Sequence, residues 1–421
     1  MIHSFELFPG VTLRCYPDQR FKHGCLSLQL VRPMCRGEAA LNALLPAVLL
    51  RGCGSCPDLR DITLRLDDLY GASVGTLVRR VGDYQTTGLY ASFIEDRYAM
   101  EGDAVLGPMV AFLKELLLDP VTENGVFSAD YVESEKKNLI STIESQLNDK
   151  RAYAMEQMMR RMCREDAFGL SRLGEKEEVA AITPKTLFDH YQHILRTSRI
   201  DVFYVGSASA QQVAQLVEEM LGGIPRNYVN LPEQTGFRTC PGGSYEEKLE
   251  VSQGKLCMGF TSPVTIRDAD FVTMQVLNMI FGGGMTSKLF MHIREKLSLC
   301  YAIGSAYHGA KGIFSVSAGI DSNRGEQVQE EILAQLEACR RGDITEEELN
   351  AAKQALRSSL LSTPDSPAGI ENYYATAALS GLTLTPDQYM AAVEQVTVQQ
   401  VAQAAGLLEL HTVYFLKGVT E

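Results

Sequence analysis

No apolar stretch in this sequence approaches the length of a membrane-spanning helix. A span needs roughly 20 apolar residues, whereas the longest run, Ala43 to Leu50, is far shorter and carries Pro46; no membrane segment is expected. An export signal is also missing. Met1 to Cys15 shows no basic start followed by an apolar stretch and a small-residue cleavage site, so the chain is expected in the cytoplasm. Basic charge is scarce: 39 Lys and Arg stand against 52 Asp and Glu, a net −13. Binding a phosphate backbone needs a dense basic footprint, and nucleic acid is not an expected partner.

What is present is an ordinary globular balance, 45% hydrophobic and 22% charged. Single cores stop growing near roughly 250 residues, so 421 residues imply two domains. The ten cysteines mostly stand singly beside apolar residues, as Cys257 and Cys300 do. Without an export signal they read as reduced thiols serving as small core hydrophobes. Cys53 and Cys56 form a C-x-x-C, the spacing of a redox pair or of half a zinc knuckle. A zinc ribbon needs a second such pair, and none exists; the segment reads as a loop.

Cys25 to Val31 alternates Leu26, Leu28 and Leu30 with Ser27 and Gln29, the period of a strand with one buried face. Helix-length stretches follow at Glu38 to Leu50 and Leu59 to Leu69, joined at Arg51-Gly52, and Tyr70 to Phe93 reads as a hairpin, with Gly71, Gly75, Gly82 and Asp83 as turn or bulge signals. A helix is expected over Gly107 to Leu118, then one long surface helix from Ala129 to Cys163. Thr183-Pro184 supplies an N-cap and an N1 proline for the next. A strand at Asp201 to Gly206 and a helix at Ala210 to Leu221 close the first half.

The segment from Pro225 to Gly243 is rich in proline and glycine with little apolar periodicity, the composition of a linker. The expected division is an N-terminal domain over 1–226, a linker over 227–243 and a C-terminal domain over 244–421. Beyond it come strands at Tyr245 to Val251 and Lys255 to Thr261, helices at Asp268 to Ile280 and Ser287 to Leu297, and strands at Leu299 to Tyr307 and Ile313 to Ile320. Capping boxes at Thr345 with Glu348 and at Thr385 with Gln388 start two late helices, and His411 to Leu416 closes the chain as a strand. The halves can be overlaid: Gly52 lies eighteen residues before Tyr70, and Gly283 eighteen before Tyr301. A repeat this long implies a duplicated domain rather than a solenoid.

The segment Phe281-Gly282-Gly283-Gly284-Met285-Thr286-Ser287-Lys288-Leu289-Phe290, continuing through Arg294-Glu295-Lys296 to Leu299-Cys300-Tyr301, resembles the C-terminal half of the pitrilysin/insulinase peptidases, the family of the mitochondrial processing peptidases and of small bacterial heterodimeric zinc peptidases. The resemblance extends over nearly the whole chain. It implies an α+β fold of two homologous α/β halves, each an antiparallel-rich sheet packed with helices, forming a clamshell. Cutting members carry His-x-x-Glu-His in the first half, two imidazoles on zinc and a glutamate as general base, with a further Glu ligand from a later helix. Counting back from Arg51-Gly52 places Ala43, Leu44, Leu45, Pro46 and Ala47 at those five positions. Glu135 to Thr142 resembles the later helix, with Thr142 at the ligand position. Alanine, proline and threonine cannot supply zinc donors here, and Pro46 is expected to bend the helix or delay its start.

His190 and His193, three apart on an expected helix, read as partly exposed residues near a helix C-terminus rather than as ligands. Gly282 to Gly284 reads as a tight turn, since no Lys-Ser/Thr follows at phosphate-loop spacing. Arg294 and Tyr301 remain as candidates. The resemblance implies that they engage substrate backbone and the developing oxyanion at a metal site. It further implies a chain that binds no cofactor itself, is inactive alone, and acts with a zinc-bearing homologous subunit, or a second copy, on extended peptide substrates. A processing accessory or scaffold without proteolytic role is the alternative.

Overall fold

The computed structural model of the chain describes residues 2–418. Two compact units emerge, and they are not the linear halves 1–226 and 244–421. One comprises the chain up to Glu144, Leu170–Glu233 and Pro364–Leu379; the other comprises Ser145–Gly169, Gln234–Thr363 and the chain from Ser380 onward. Each therefore includes a segment that a linear cut assigns to the opposite half.

In the first unit the strands are β1 (His3–Phe8), β2 (Val11–Pro17), β3 (His23–Pro33), β4 (Ser73–Val81), β5 (Tyr84–Ile94), the two-residue β6 (Thr122–Glu123) and β7 (Val126–Phe127), and β8 (Arg199–Gly206). Six of them form one sheet in the order β1-β2-β8-β3-β5-β4. Leu26, Leu28 and Leu30 of β3 enter a core with Leu44, Leu45 and Val48 of the Ala39–Leu49 helix and Leu113 of the Leu106–Leu118 helix. The opposite face of β3 is buried too, which alternation does not predict. Its cover is the Pro367–Ser380 helix, whose Glu371 carboxylate accepts from Ser27 Oγ at 2.7 Å, Gln29 Nε2 at 2.9 Å and both terminal nitrogens of Arg79 at 3.0 and 2.9 Å. A buried carboxylate is tolerated when its lone pairs are filled this way.

The second unit holds β9 (Gly243–Leu249), β10 (Gly254–Thr261), β11 (Cys300–His308), β12 (Ile313–Ile320) and β13 (Glu409–Gly418), in the order β11-β12-β10-β13-β9. The pairings repeat those of the first unit. β2 runs parallel to β8, which is antiparallel to β3, then β5, then β4; β9 runs parallel to β13, which is antiparallel to β10, then β12, then β11. The duplication read from the sequence is thus present strand for strand, with β1 as an addition.

The expected long helix over Ala129 to Cys163 is two helices, Ala129–Ser145 and Lys150–Met162, separated by a 3₁₀ turn. The Asp149 side chain caps the second, accepting from the Arg151 and Ala152 N–H groups at 3.0 Å each. Nor is the second helix a surface one. Ala154, Met158 and Met162 are buried with Cys257 and Tyr414 of β10 and β13. Gly259 makes this approach possible, because a Cβ there would sit 2.5 Å from the Met162 sulfur. Just beyond, Asp166 and Lys311 form a fully buried ion pair at 2.9 Å.

Candidate functional site

The helix carrying the five metal-motif positions runs from Ala39 to Leu49, starting seven residues ahead of Pro46 and continuing through it. Proline has no N–H, so its ring removes the bond that the Asn42 carbonyl would receive. Thr87 of β5 makes good the loss by donating its hydroxyl to Asn42 O at 2.6 Å. Ala43 and Pro46 are buried against the core, while the Thr142 hydroxyl bonds back to Asn138 O at 2.9 Å within its own helix. Glu135 is engaged by Arg51 at 3.1 Å. None of the side chains at 43, 46, 47 and 142 offers a metal donor of the family's kind, so the residues do not fit its zinc ion. Among the described residues, no group of three or more His, Cys, Asp or Glu side chains is placed to hold a metal.

His190 differs from its sequence reading. It is buried, not partly exposed, and burial lowers its pKa to about 4, so the imidazole is neutral. Its tautomer follows from a one-way chain of hydrogen bonds. Gln85 Nε2 donates to the carbonyls of Ala39 and Arg172 at 3.1 and 2.7 Å, leaving Gln85 Oε1 to accept from Asn42 Nδ2 at 2.9 Å. Asn42 Oδ1 must then accept from the His190 Nε2–H at 2.7 Å. This relay braces the Ala39–Leu49 helix beside Ala43; sequence spacing gave no sign of it. His193, three residues on, is exposed.

Arg294 and Tyr301 lie in the second unit, each on a local irregularity. Leu289–Lys296 is a π-helix: the Leu297 N–H reaches back five residues to His292 O at 3.0 Å. The wider turn changes the direction in which its side chains point. Arg294 is 41% exposed, stacks on Phe290 at 4.6 Å and lies 3.8 Å from Glu295. Gly282 and Gly283 make the preceding turn, because Cβ atoms there would fall 2.7 Å from Ser305 Oγ and 2.9 Å from Met279 Cα. Ser298 then takes a left-handed φ of 51°, with Arg324 donating to its carbonyl at 3.3 Å.

Tyr301 follows on β11, an edge strand of its sheet, where the register slips between Cys300 and Ala302. Such bulges re-aim a side chain. Tyr301 is 56% exposed, and its hydroxyl donates to Asp321 Oδ1 at 3.1 Å. That bond raises the tyrosine pKa further above its ordinary value. Asp321 is a partner that the sequence did not single out.

A duplicated α/β architecture whose sequence carries no His-x-x-Glu-His defines a peptidase-like fold without the zinc motif. The chain belongs to the M16 peptidase family, the pitrilysin/insulinase group. Over 416 residues it is 30% identical to a Bacillus subtilis protein described as "Probable inactive metalloprotease YmfF", covering 97% of this chain and 96% of that one. Residues 181–356 match the family profile described as "Peptidase M16 inactive domain". An uncharacterized zinc protease of Rickettsia felis is 22% identical over 294 residues, 69% of this chain and 70% of its own. Among solved structures, a conserved protein from Enterococcus faecalis V583 superposes with a TM-score of 0.93 at 27% identity, covering 100% of this chain and 99% of that one. A peptidase M16 inactive domain from Pseudomonas fluorescens gives 0.82 at 17% identity, covering 100% and 98%.

Proposed function

We propose that this chain is the complementary, non-catalytic subunit of a cytoplasmic M16 zinc peptidase, holding extended peptide and supplying Arg294 and Tyr301 to the zinc site of a homologous partner. The observation that carries this reading is the pairing of two backbone irregularities with these two side chains: a π-helix bears Arg294, which stays partly exposed, and a β-bulge bears Tyr301, which is exposed. π-Turns and bulges recur at functional sites, where they re-aim side chains. The zinc ligands belong to the partner, since this chain lacks the donors. An extended peptide adds to a sheet edge through main-chain hydrogen bonds with little sequence demand, and β11 is such an edge. Met285 and Met291 on the same segment are also exposed, adaptable apolar surface for a variable ligand or a partner.

The test is co-expression with a homologue from the same genome that carries His-x-x-Glu-His. A stable complex of about twice 46.4 kDa is expected, with chelator-sensitive peptide cleavage. Loss of one oxyanion donor typically lowers turnover about 10²- to 10³-fold, so Tyr301→Phe and Arg294→Ala should depress the complex by that order while assembly is unchanged. Wild-type turnover in both mutant complexes overturns the role of the pair. Failure to pair with any homologue, or with a second copy, overturns the subunit reading in favour of a scaffold.

A further inference from the structure

The C-x-x-C of Cys53 and Cys56 lies in the first unit, on the loop after the Ala39–Leu49 helix. Its geometry says more than its spacing. The Cys53 N–H donates to Cys56 O at 2.8 Å and the Cys56 N–H donates back to Cys53 O at 3.1 Å. Two residues that exchange both main-chain bonds stand directly opposite one another, with Cα atoms about 5.5 Å apart and side chains on a common face. That separation lies inside the roughly 4.4–6.8 Å that a disulfide spans. Both sulfurs also contact one hydroxyl: Cys53 Sγ is 3.7 Å and Cys56 Sγ 3.6 Å from Ser55 Oγ.

The turn is held from outside. Gly54 N–H donates to Asp119 O at 3.0 Å, Cys53 forms an isolated bridge with Pro120, and a Cβ on Gly54 would meet Asp119 Oδ2 at 2.1 Å. Ser55 donates to the Glu115 carboxylate, whose Oε2 also lies 3.9 Å from Cys53 Sγ. The two thiols are unequal in access. Cys53 is completely buried, whereas Cys56 retains a little exposure between exposed Ser55 and Pro57.

We propose that Cys53 and Cys56 form a built dithiol site that closes to a disulfide by exchange with small-molecule disulfides, Cys56 entering the reaction and Cys53 resolving it. In the first step the Cys56 thiolate attacks one sulfur of the disulfide, forming a mixed disulfide and expelling one thiolate. Cys53 then loses its proton, for which the Glu115 carboxylate is the neighbouring acceptor, and attacks Cys56 Sγ, expelling the second thiolate. The protein gives up two electrons and two protons, and the small disulfide is reduced to two thiols. The product locks the turn behind the helix that carries Ala43 and Pro46. Burial pushes the Cys53 thiol upward, so closure accelerates with rising pH.

The experiment equilibrates the folded chain with mixtures of reduced and oxidised glutathione, quenches with acid, alkylates and maps the thiols by mass spectrometry. Expected is a Cys53–Cys56 link whose equilibrium constant is at least ten-fold larger in the folded chain than in the same chain unfolded in urea. Cys53→Ser should accumulate glutathione on Cys56, while Cys56→Ser leaves Cys53 unmodified. Equal constants in folded and unfolded chain show that the fold does not prepare the pair, and overturn the proposal. So does absence of the link at oxidising ratios, or glutathione on Cys53 rather than Cys56 in the single variants.

Discussion

Mild acid should destabilise this protein chiefly through one imidazole. Burial holds the His190 pKa near 4 against an ordinary 6.5. As pH falls through 6.5 the unfolded chain takes up a proton at this residue and the folded chain does not, so acid favours unfolding. The stability is fully present above 6.5, is lost progressively between 6.5 and 4, and falls no further at this group below that. At 1.36 kcal/mol per unit the displacement corresponds to about 3 kcal/mol. Urea denaturation of wild type and His190→Gln at pH 7.5, 6.0, 5.0 and 4.5 measures it. Glutamine keeps an N–H donor for Asn42 Oδ1 without titrating, so the two proteins should lie close at pH 7.5 and diverge by about 2–3 kcal/mol toward pH 4.5, wild type becoming the weaker relative to the variant. His190→Phe should instead lie about 1–3 kcal/mol below His190→Gln at all pH values, because neither side chain titrates and phenylalanine leaves a buried acceptor unpaired. Identical pH slopes for wild type and His190→Gln between 6.5 and 4.5 would refute the assignment of a neutral, buried imidazole.

Thr87→Val should destabilise the chain by about 1–3 kcal/mol, since it leaves the buried Asn42 carbonyl without a donor. In a Pro46→Ala background the same change should cost much less, because the residue 46 N–H can again reach that carbonyl; equal costs in both backgrounds, by urea titration, would count against the compensation. Lys311→Met should cost about 3–5 kcal/mol, since it strands the fully buried Asp166 carboxylate at a site with neither side chain exposed. Pairing it with Asp166→Leu should recover only part of the loss, because Phe168 and Arg238 N–H groups also depend on that carboxylate; an unchanged urea midpoint for Lys311→Met would show that the pair contributes nothing.

The sequence by itself determined everything that depends on residue type or on near neighbours. Metal-donor chemistry is a property of side chains, so that Ala43, Pro46, Ala47 and Thr142 carry no donor of the family's kind is legible from residue type alone. Capping boxes need four consecutive residues, and those at Thr345 and Thr385 stand as read. The glycine turn at 282–284 and the duplicated strand order were likewise legible, being set by steric freedom and periodicity along the chain. Tertiary structure decided what depends on partners distant in sequence. Glu371 fills a sheet face 344 residues before it, at Ser27, and no local pattern announces that pairing. The charged stretch from Ala129 broke at Asp149 because its second part found a sheet to bury its methionines. His190 became a neutral core residue because packing distant in sequence buries it, and Asn42, 148 residues earlier, accepts its N–H hydrogen bond. The exposure of Arg294 and Tyr301 belongs to the same class. The sequence names both residues, but the π-turn and the bulge that aim them arise from strand pairing and close packing, which local propensity does not encode.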